Sequence, residues 1–296
     1  MTRRHFLDVD DLTADELADV LNRSGDQAPP QVLAGLGVAL LFEKPSARTR
    51  NSSEMAVVQL GGHPVTIRGD EVGFDVRETV EDITRTLACY HAAIGARVFQ
   101  HSFLERMASV SSVPVINLLS DAAHPCQVLA DLLTLKQEFG TLTGRRLAWV
   151  GDANNVCRSL LAGAALCGMD VSVAAPDGYG LPEDVVAHAT ARGVHVVTTT
   201  KPEEAVDGAD AVVTDVWASM GQEAEAARRR ADFAGYTVDA ALMARAAPHA
   251  VFLHCLPAHR GDEVSAEVID GPQSRVWPEA ANRMHAMRGL LWWLSA

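Results

Sequence analysis

Ser46, Arg48 and Thr49 stand close together in Phe42-Glu43-Lys44-Pro45-Ser46-Ala47-Arg48-Thr49-Arg50. Two hydroxyls, two fixed charges (Arg48 and Arg50) and the unpaired N–H groups at the start of a following helix would hold a phosphate. Alone, the same residues serve equally well as an N-cap and a solvated basic face. Other polar clusters recur along the chain: Ala96-Arg97, His124-Pro125-Cys126-Gln127, Asn154-Asn155, Thr214-Asp215-Val216-Trp217-Ala218-Ser219-Met220-Gly221 and His254-Cys255-Leu256-Pro257-Ala258-His259-Arg260. They offer anion-binding cations, an imidazole, a carboxylate and a thiol, each gathered just after an expected strand.

Each cluster also has a plainer reading. Arg97 could pair with a surface acid, His124 could cap a helix, Asn155 could brace a turn and Asp215 could cap the segment after it. Cys126 reads as a small packing residue. Cys255 stands apart among the cysteines, because it directly follows the apolar run Val251-Phe252-Leu253 and is flanked by His254 and Pro257.

The elements that must position these groups follow from hydrophobic patterning. Val38-Ala39-Leu40-Leu41-Phe42 reads as a buried strand, and residues 51–60 as the helix after it. Further strands are expected at 65–67, 93–99, 113–117, 146–150, 170–175, 194–198, 211–214 and 250–253. Helices are expected at 14–23, 79–90, 103–109, 124–138, 156–167 and 279–294, the last ending in Trp292-Trp293 as core packing. The glycines and charges of residues 68–78 read as a mobile loop. A composition break at Gly140-Thr141-Leu142-Thr143-Gly144 separates two strand-helix alternations. The fold class is therefore α/β: two doubly wound parallel-sheet domains joined by helices, residues 1–138 and 139–278. Ligands in such sheets bind beyond the carboxyl ends of the strands, where the clusters lie, so an active site in the cleft between the domains is expected.

Composition excludes several classes. The formal charge of −13 disfavours nucleic acid or an anionic membrane as a general partner. No apolar run approaches the ~18 residues of a membrane span, and the N-terminus meets acids before any signal-like apolar region. Five cysteines without a Cys-x-x-Cys pair indicate neither a disulfide framework nor a thiolate zinc site, which suits a reducing cytoplasm. Gly151-Asp152-Ala153-Asn154 lacks the later glycines of a dinucleotide fingerprint. His254, Cys255 and His259 match a metal set by residue type only, so no metal is expected.

As a set, Ser46-x-Arg48-Thr49, His124-Pro125-x-Gln127, Asp215-x-x-x-Ser219-Met220-Gly221 and His254-Cys255-Leu256-Pro257 resemble the ornithine carbamoyltransferases, in order and approximate spacing. The likeness runs from Arg4-His5-Phe6-Leu7 to the final helix. Aspartate-using relatives share the first two motifs but not the last two, which therefore carry the substrate assignment. The resemblance implies carbamoyl transfer from carbamoyl phosphate to the side-chain amine of L-ornithine, giving citrulline and phosphate, with no cofactor. It implies that Ser46, Ala47, Arg48, Thr49 and Arg97 hold the phosphate, and that Thr49, Arg97, His124 and Gln127 address the carbamoyl group. It implies that Cys255 and Leu256 face the attacking amine and Arg283 completes the pocket. By the same likeness Asn155, Asp215, Ser219 and Met220 bind the amino-acid end of ornithine, and the 215–222 segment acts as a lid. A homotrimer or a multiple of it is implied, with the helix 279–296 packing back on the first domain.

Two departures stand out. Ala47 replaces the usual threonine, and Glu71 stands where a glutamine commonly reaches the phosphate, so Arg68 or Arg77 is expected to take over that contact. Alternative readings are a carbamoyltransferase for putrescine or an N-acylornithine, and a non-catalytic ligand-binding paralogue.

Overall fold

The computed structural model describes residues 4–218 and 223–296. Contact density divides the chain into two compact units, Met1–Leu133 with Ala281–Ala296, and Thr134–Ala280. The divisions fall within two helices rather than in the Gly140 to Gly144 turn where composition changes.

The first unit carries α1 (Ala14–Gly25), β1 (Gly37–Phe42), α2 (Ala47–Gln59), β2 (His63–Arg68), α3 (Gly69–Val72), α4 (Val80–Ala88), β3 (Ala93–Arg97), α5 (His101–Val110) and β4 (Val115–Leu119). Its strands lie parallel in the order β2-β1-β3-β4. Helix α6 (Pro125–Phe139) follows. The second unit carries β5 (Arg146–Val150), α7 (Asn155–Cys167), β6 (Asp170–Ala174), α8 (Glu183–Ala191), β7 (Val196–Thr199), α9 (Pro202–Val206), β8 (Ala211–Thr214), α10 (Ala226–Asp232), α11 (Ala240–Met243), β9 (Val251–His254) and α12 (Ala266–Ile269). Its parallel order is β7-β6-β5-β8-β9. Helix α13 (Val276–Leu294) closes the chain.

The central strands are apolar along their whole length because helices cover both faces of a parallel sheet. Val38, Ala39, Leu40 and Leu41 of β1 are buried, as are Leu147, Ala148, Trp149 and Val150 of β5. Each sheet reverses its winding once, between β1 and β3 in the first unit and between β5 and β8 in the second. At such a switch point the loops leave in opposite directions and open a crevice. The polar clusters after β1, β3, β5 and β8 stand at these crevices.

Three local expectations change. Helix α2 begins at Ala47, not at residue 51, because Ser46 caps it: its hydroxyl accepts the Thr49 N–H at 3.3 Å. Residues 68–78, expected as loop, are not loop throughout. They contain the α3 turn, and Asp75 is clamped by the Arg106 guanidinium at 2.6 and 2.9 Å, which also grips Glu81 at 2.6 Å. Those two acids hold the Arg106 guanidinium above its ordinary pKa. Trp292 and Trp293 are half-buried rather than core. Arg23 and Arg4 lie over their rings, each 5.0 Å from the centroid, a contact favourable for a cation on an aromatic face. Within the first unit α13 is tied down by Arg288, which donates to Gln59 Oε1 at 2.9 Å and to the Ser24 carbonyl at 3.0 Å.

Candidate active site

In the first unit the site grows from the ends of β1 and β3, which lie in register with Phe42 beside Arg97. Glu43 staples the two ends together. Its N–H donates to the Arg97 carbonyl at 2.9 Å and its carboxylate accepts the Phe99 N–H at 2.7 Å. Burial pushes the Glu43 carboxyl up from its usual range. Arg97 is thereby delivered buried to the head of α2, where its Nη1 lies 3.4 Å from Thr49 Oγ1. Arg283, from α13, approaches the same oxygen at 3.3 Å. A hydroxyl that accepts from two guanidiniums can turn its own hydrogen outward, toward a ligand oxygen.

His124 and Gln127, at the start of α6, complete this cluster. Arg283 Nη1 reaches His124 Nε2 at 3.4 Å and also bonds Gln127 Oε1. Gln127 Nε2 donates to Asp131 Oδ1 at 2.7 Å, which fixes the amide with its oxygen toward the arginine. Asp131 was not singled out from the sequence, although its spacing one helical turn beyond Gln127 is a readable signal. The N–H groups of Ala47 and Arg48 are in the first turn of α2, where no preceding carbonyl takes them. Arg48 itself is exposed, whereas Arg50 is committed to Glu54 at 2.8 Å and so leaves the proposed phosphate cradle. Arg68 pairs with Asp70 at 2.9 Å and Arg77 donates to the Glu71 carbonyl at 3.0 Å, so each is tied within its own segment.

His124 is buried among cations, and desolvation, then Arg283, Arg97 and Arg48, hold its pKa well below the usual 6.5. Its surroundings therefore favour the neutral imidazole. The unfolded chain takes up this proton near pH 6.5 while the folded chain does not, so stability present above that value is lost as the pH falls below it. His124→Asn is expected to flatten the decline of melting temperature between about pH 6.5 and 5. Parallel wild-type and variant curves would show that His124 does not carry this linkage.

In the second unit the site grows from β5, β8 and β9. Gly151 makes the turn after β5 with φ 128°, and a Cβ there would press on Thr214 Oγ1 at 3.3 Å. Asn154 then caps α7, accepting the Val156 and Cys157 N–H groups at 2.9 and 3.2 Å. That capping takes up donors a dinucleotide pyrophosphate would use. Its amide also donates to Asp215 Oδ2 at 2.8 Å. Asn155 follows as the first residue of α7 and is half-buried. Asp215 is buried just past β8, and its other oxygen accepts the Val216 N–H at 2.8 Å and the Cys255 thiol at 3.1 Å. Leu256, after Cys255, has φ 61° and is joined to Pro257 by a cis peptide. Ser219 and Met220 lie outside the described residues.

The segment around Asp215 is anchored by a residue the sequence did not mark. Arg229 donates to Asp152 Oδ2 at 2.6 Å, to the Trp217 carbonyl at 2.8 Å and to Glu225 at 3.2 Å. Burial pushes the Asp152 carboxyl up, against the pull of Arg229. Arg229→Ala would strand that half-buried acid, and a loss of about 2 kcal/mol in denaturant unfolding is expected, below the range for a fully buried pair. An unchanged unfolding midpoint would contradict the anchoring role.

Among the other cysteines, burial pushes the Cys126 thiol up to about 12 and Cys167 to about 11, which makes them poor nucleophiles. Asp215, His254 and Cys255 bring ligand-type atoms within 4.8 Å of one another. His254 nevertheless has no nitrogen to spare: Nδ1 lies 2.9 Å from the Leu256 N–H and Nε2 lies 3.1 Å from Glu263 Oε1. The cluster therefore lacks a third metal ligand.

Comparison with known proteins bears on both units. Residues 4–137 match the carbamoyl-P binding domain of the aspartate/ornithine carbamoyltransferases, and residues 143–294 match the Asp/Orn binding domain of that family. The chain is 49% identical over 299 residues to an ornithine carbamoyltransferase of Acidothermus cellulolyticus, covering 97% of this chain and 95% of the relative. It is 47% identical over 303 residues to that of Rhodococcus opacus, covering 99% and 96%. The crystal structure of ornithine carbamoyltransferase from Thermus thermophilus superposes with a TM-score of 0.92 at 42% identity, over 100% of both chains.

Proposed function

The chain belongs to the aspartate/ornithine carbamoyltransferase family, and from that membership we propose how its residues carry carbamoyl phosphate and L-ornithine to L-citrulline and phosphate. The observation that carries the ornithine assignment is the buried Asp215 carboxylate, which accepts from Asn154 on one oxygen and from the Cys255 thiol on the other.

Carbamoyl phosphate binds the first unit. Its phosphate takes the Ser46 hydroxyl, the Ala47 and Arg48 N–H groups, the Thr49 hydroxyl and the Arg48 and Arg97 guanidiniums. The methyl of Ala47 costs one hydroxyl and leaves the backbone donor in place. Gln127 accepts from the carbamoyl nitrogen, and Arg283 closes the pocket. Ornithine binds the second unit, with its amino-acid end on Asn155, Asp215, Ser219 and Met220 and its side-chain amine beside Cys255 and the Leu256 carbonyl.

The amine must attack as the free base although its ordinary pKa is ~10.4. Cys255, bonded to Asp215, offers both a desolvating wall and a route for the departing proton. The new N–C bond forms as charge gathers on the carbamoyl oxygen, where Thr49, Arg97 and His124 stabilise it. The C–O bond to phosphate then breaks, and the leaving group departs already neutralised by arginine.

The test is citrulline formation assayed with ornithine, putrescine and N-acetylornithine side by side. Ornithine should dominate, since putrescine has no amino-acid end for Asp215 to hold. Preferred use of either alternative would overturn the substrate assignment. We further propose a homotrimer or a multiple of it, placed in arginine biosynthesis in the cytoplasm. In support, all five cysteines are free thiols, and among the described residues no helix is long and apolar enough to cross a membrane.

A further inference from the structure

The loop that follows β9 closes around one fully buried acid. Glu263 is 0% exposed and His254 1%. Glu263 Oε1 lies 3.1 Å from His254 Nε2 and accepts the His259 N–H at 2.6 Å, so a single oxygen gathers the start and the middle of the loop. His254 is held from its other sides as well: its backbone N–H donates to Glu279 Oε2 at 2.9 Å, and its Nδ1 accepts the Leu256 N–H at 2.9 Å.

These contacts define the tautomer. Nδ1 accepts from a backbone donor, so the ring hydrogen is on Nε2, directed at Glu263. Leu256 stands at φ 61°, in the left-handed region that a leucine occupies only when held there. The Leu256 N–H is engaged in that conformation by the Nδ1 lone pair. The preceding residue is Cys255, whose sulfur reaches Asp215.

We propose that Glu263 is a positioning residue for carbamoyl transfer: by fixing the His254 tautomer it sets the Cys255-Leu256 turn and so aims the thiol at Asp215. Without Glu263 the imidazole is no longer bound to carry its hydrogen on Nε2. In the other tautomer Nδ1–H opposes the Leu256 N–H, donor against donor, and the turn relaxes. Glutamine keeps an oxygen for both donors, and its amide nitrogen can meet His259 Nδ1, which lies 3.8 Å from Glu263 Oε2. Methionine keeps the volume and removes the acceptor.

The inference rests on the reaction assigned above, so its test has a readout independent of turnover. Glu263→Gln and Glu263→Met are compared by steady-state kinetics and by the alkylation rate of Cys255 with iodoacetamide, followed peptide by peptide by mass spectrometry. Glu263→Met is expected to lower kcat on the order of 100-fold, since a displacement of about 1 Å at a reacting group has that effect, with KM for carbamoyl phosphate nearly unchanged. Its Cys255 is expected to alkylate several-fold faster, because the sulfur is released from Asp215. Glu263→Gln should restore both quantities most of the way to wild type. A folded Glu263→Met with wild-type kcat and alkylation overturns the proposal, as does a Glu263→Gln as impaired as Glu263→Met.

If Glu263→Met does not fold, His254 supplies the same test. Asparagine places an acceptor where Nδ1 stood, and leucine does not. His254→Asn should keep the wild-type alkylation rate while His254→Leu loses it, and equal behaviour of the two overturns the proposal. A wild-type protein that forms no citrulline would sink the reaction assignment, while the alkylation rates would still decide the role of Glu263.

Discussion

Arg97→Ala is expected to lower kcat on the order of 1000-fold, the upper end for removal of a donor to a developing oxyanion. In the proposed reaction Arg97 serves two charges at once, the carbamoyl oxygen in the transition state and the phosphate in both states, so KM for carbamoyl phosphate should also rise about tenfold, as for loss of one charge-assisted hydrogen bond. The side chain is 7% exposed and fixed from behind by the Glu43 staple on its own carbonyl. Little reorganisation is therefore available to replace it. Arg97→Lys should recover only a small part, because an ammonium cannot reproduce the planar fork. Steady-state kinetics with carbamoyl phosphate varied at saturating ornithine decides the matter, and an Arg97→Ala enzyme within tenfold of wild type would remove Arg97 from the reaction.

Asp215→Asn should reduce kcat/KM for ornithine on the order of 1000-fold and leave the affinity for carbamoyl phosphate within about twofold. The substitution is nearly isosteric but changes who donates. Asp215 receives three donors, from Asn154, Val216 and Cys255. An asparagine can orient its oxygen toward only one side and must set its NH2 against a donor on the other. The charge proposed to attract the ornithine α-amino group is lost in the same step. Equal damage to the binding of both substrates would contradict the assignment of Asp215 to the amino-acid end.

Much of this site was legible because doubly wound sheets expose their functional residues at strand ends, and uninterrupted apolar runs mark the strands. Arg97 directly after Ala93-Ile94-Gly95-Ala96, and Asp215 directly after Ala211-Val212-Val213-Thr214, follow from that rule. The start of α2 was missed because Arg48-Thr49-Arg50-Asn51 has no apolar period, and only the Ser46 cap marks it. The clamp of Arg106 on Asp75 and Glu81 gave no signal, since it joins residues 31 and 25 positions apart. Arg229 and Asp152 are 77 positions apart, and the His254–Glu263 contact spans an irregular loop with no periodicity to follow. Sequence patterns report elements and their ends. Side-chain contacts that hold an end in place arise only when distant elements pack.

The proposed reaction requires the basic turn after β1 and the thiol turn after β9 to act on one pair of reacting atoms. A crystal structure with a conjugate joining a phosphonoacetyl group to the side-chain nitrogen of L-ornithine tests it most directly. The phosphonate is predicted on Ser46, Arg48, Thr49 and Arg97, and the amino-acid end of the same molecule on Asn155 and Asp215, with Cys255 beside the bridging nitrogen. A conjugate bound through its phosphonate alone, its ornithine end in solvent and Cys255 out of reach, would contradict the account.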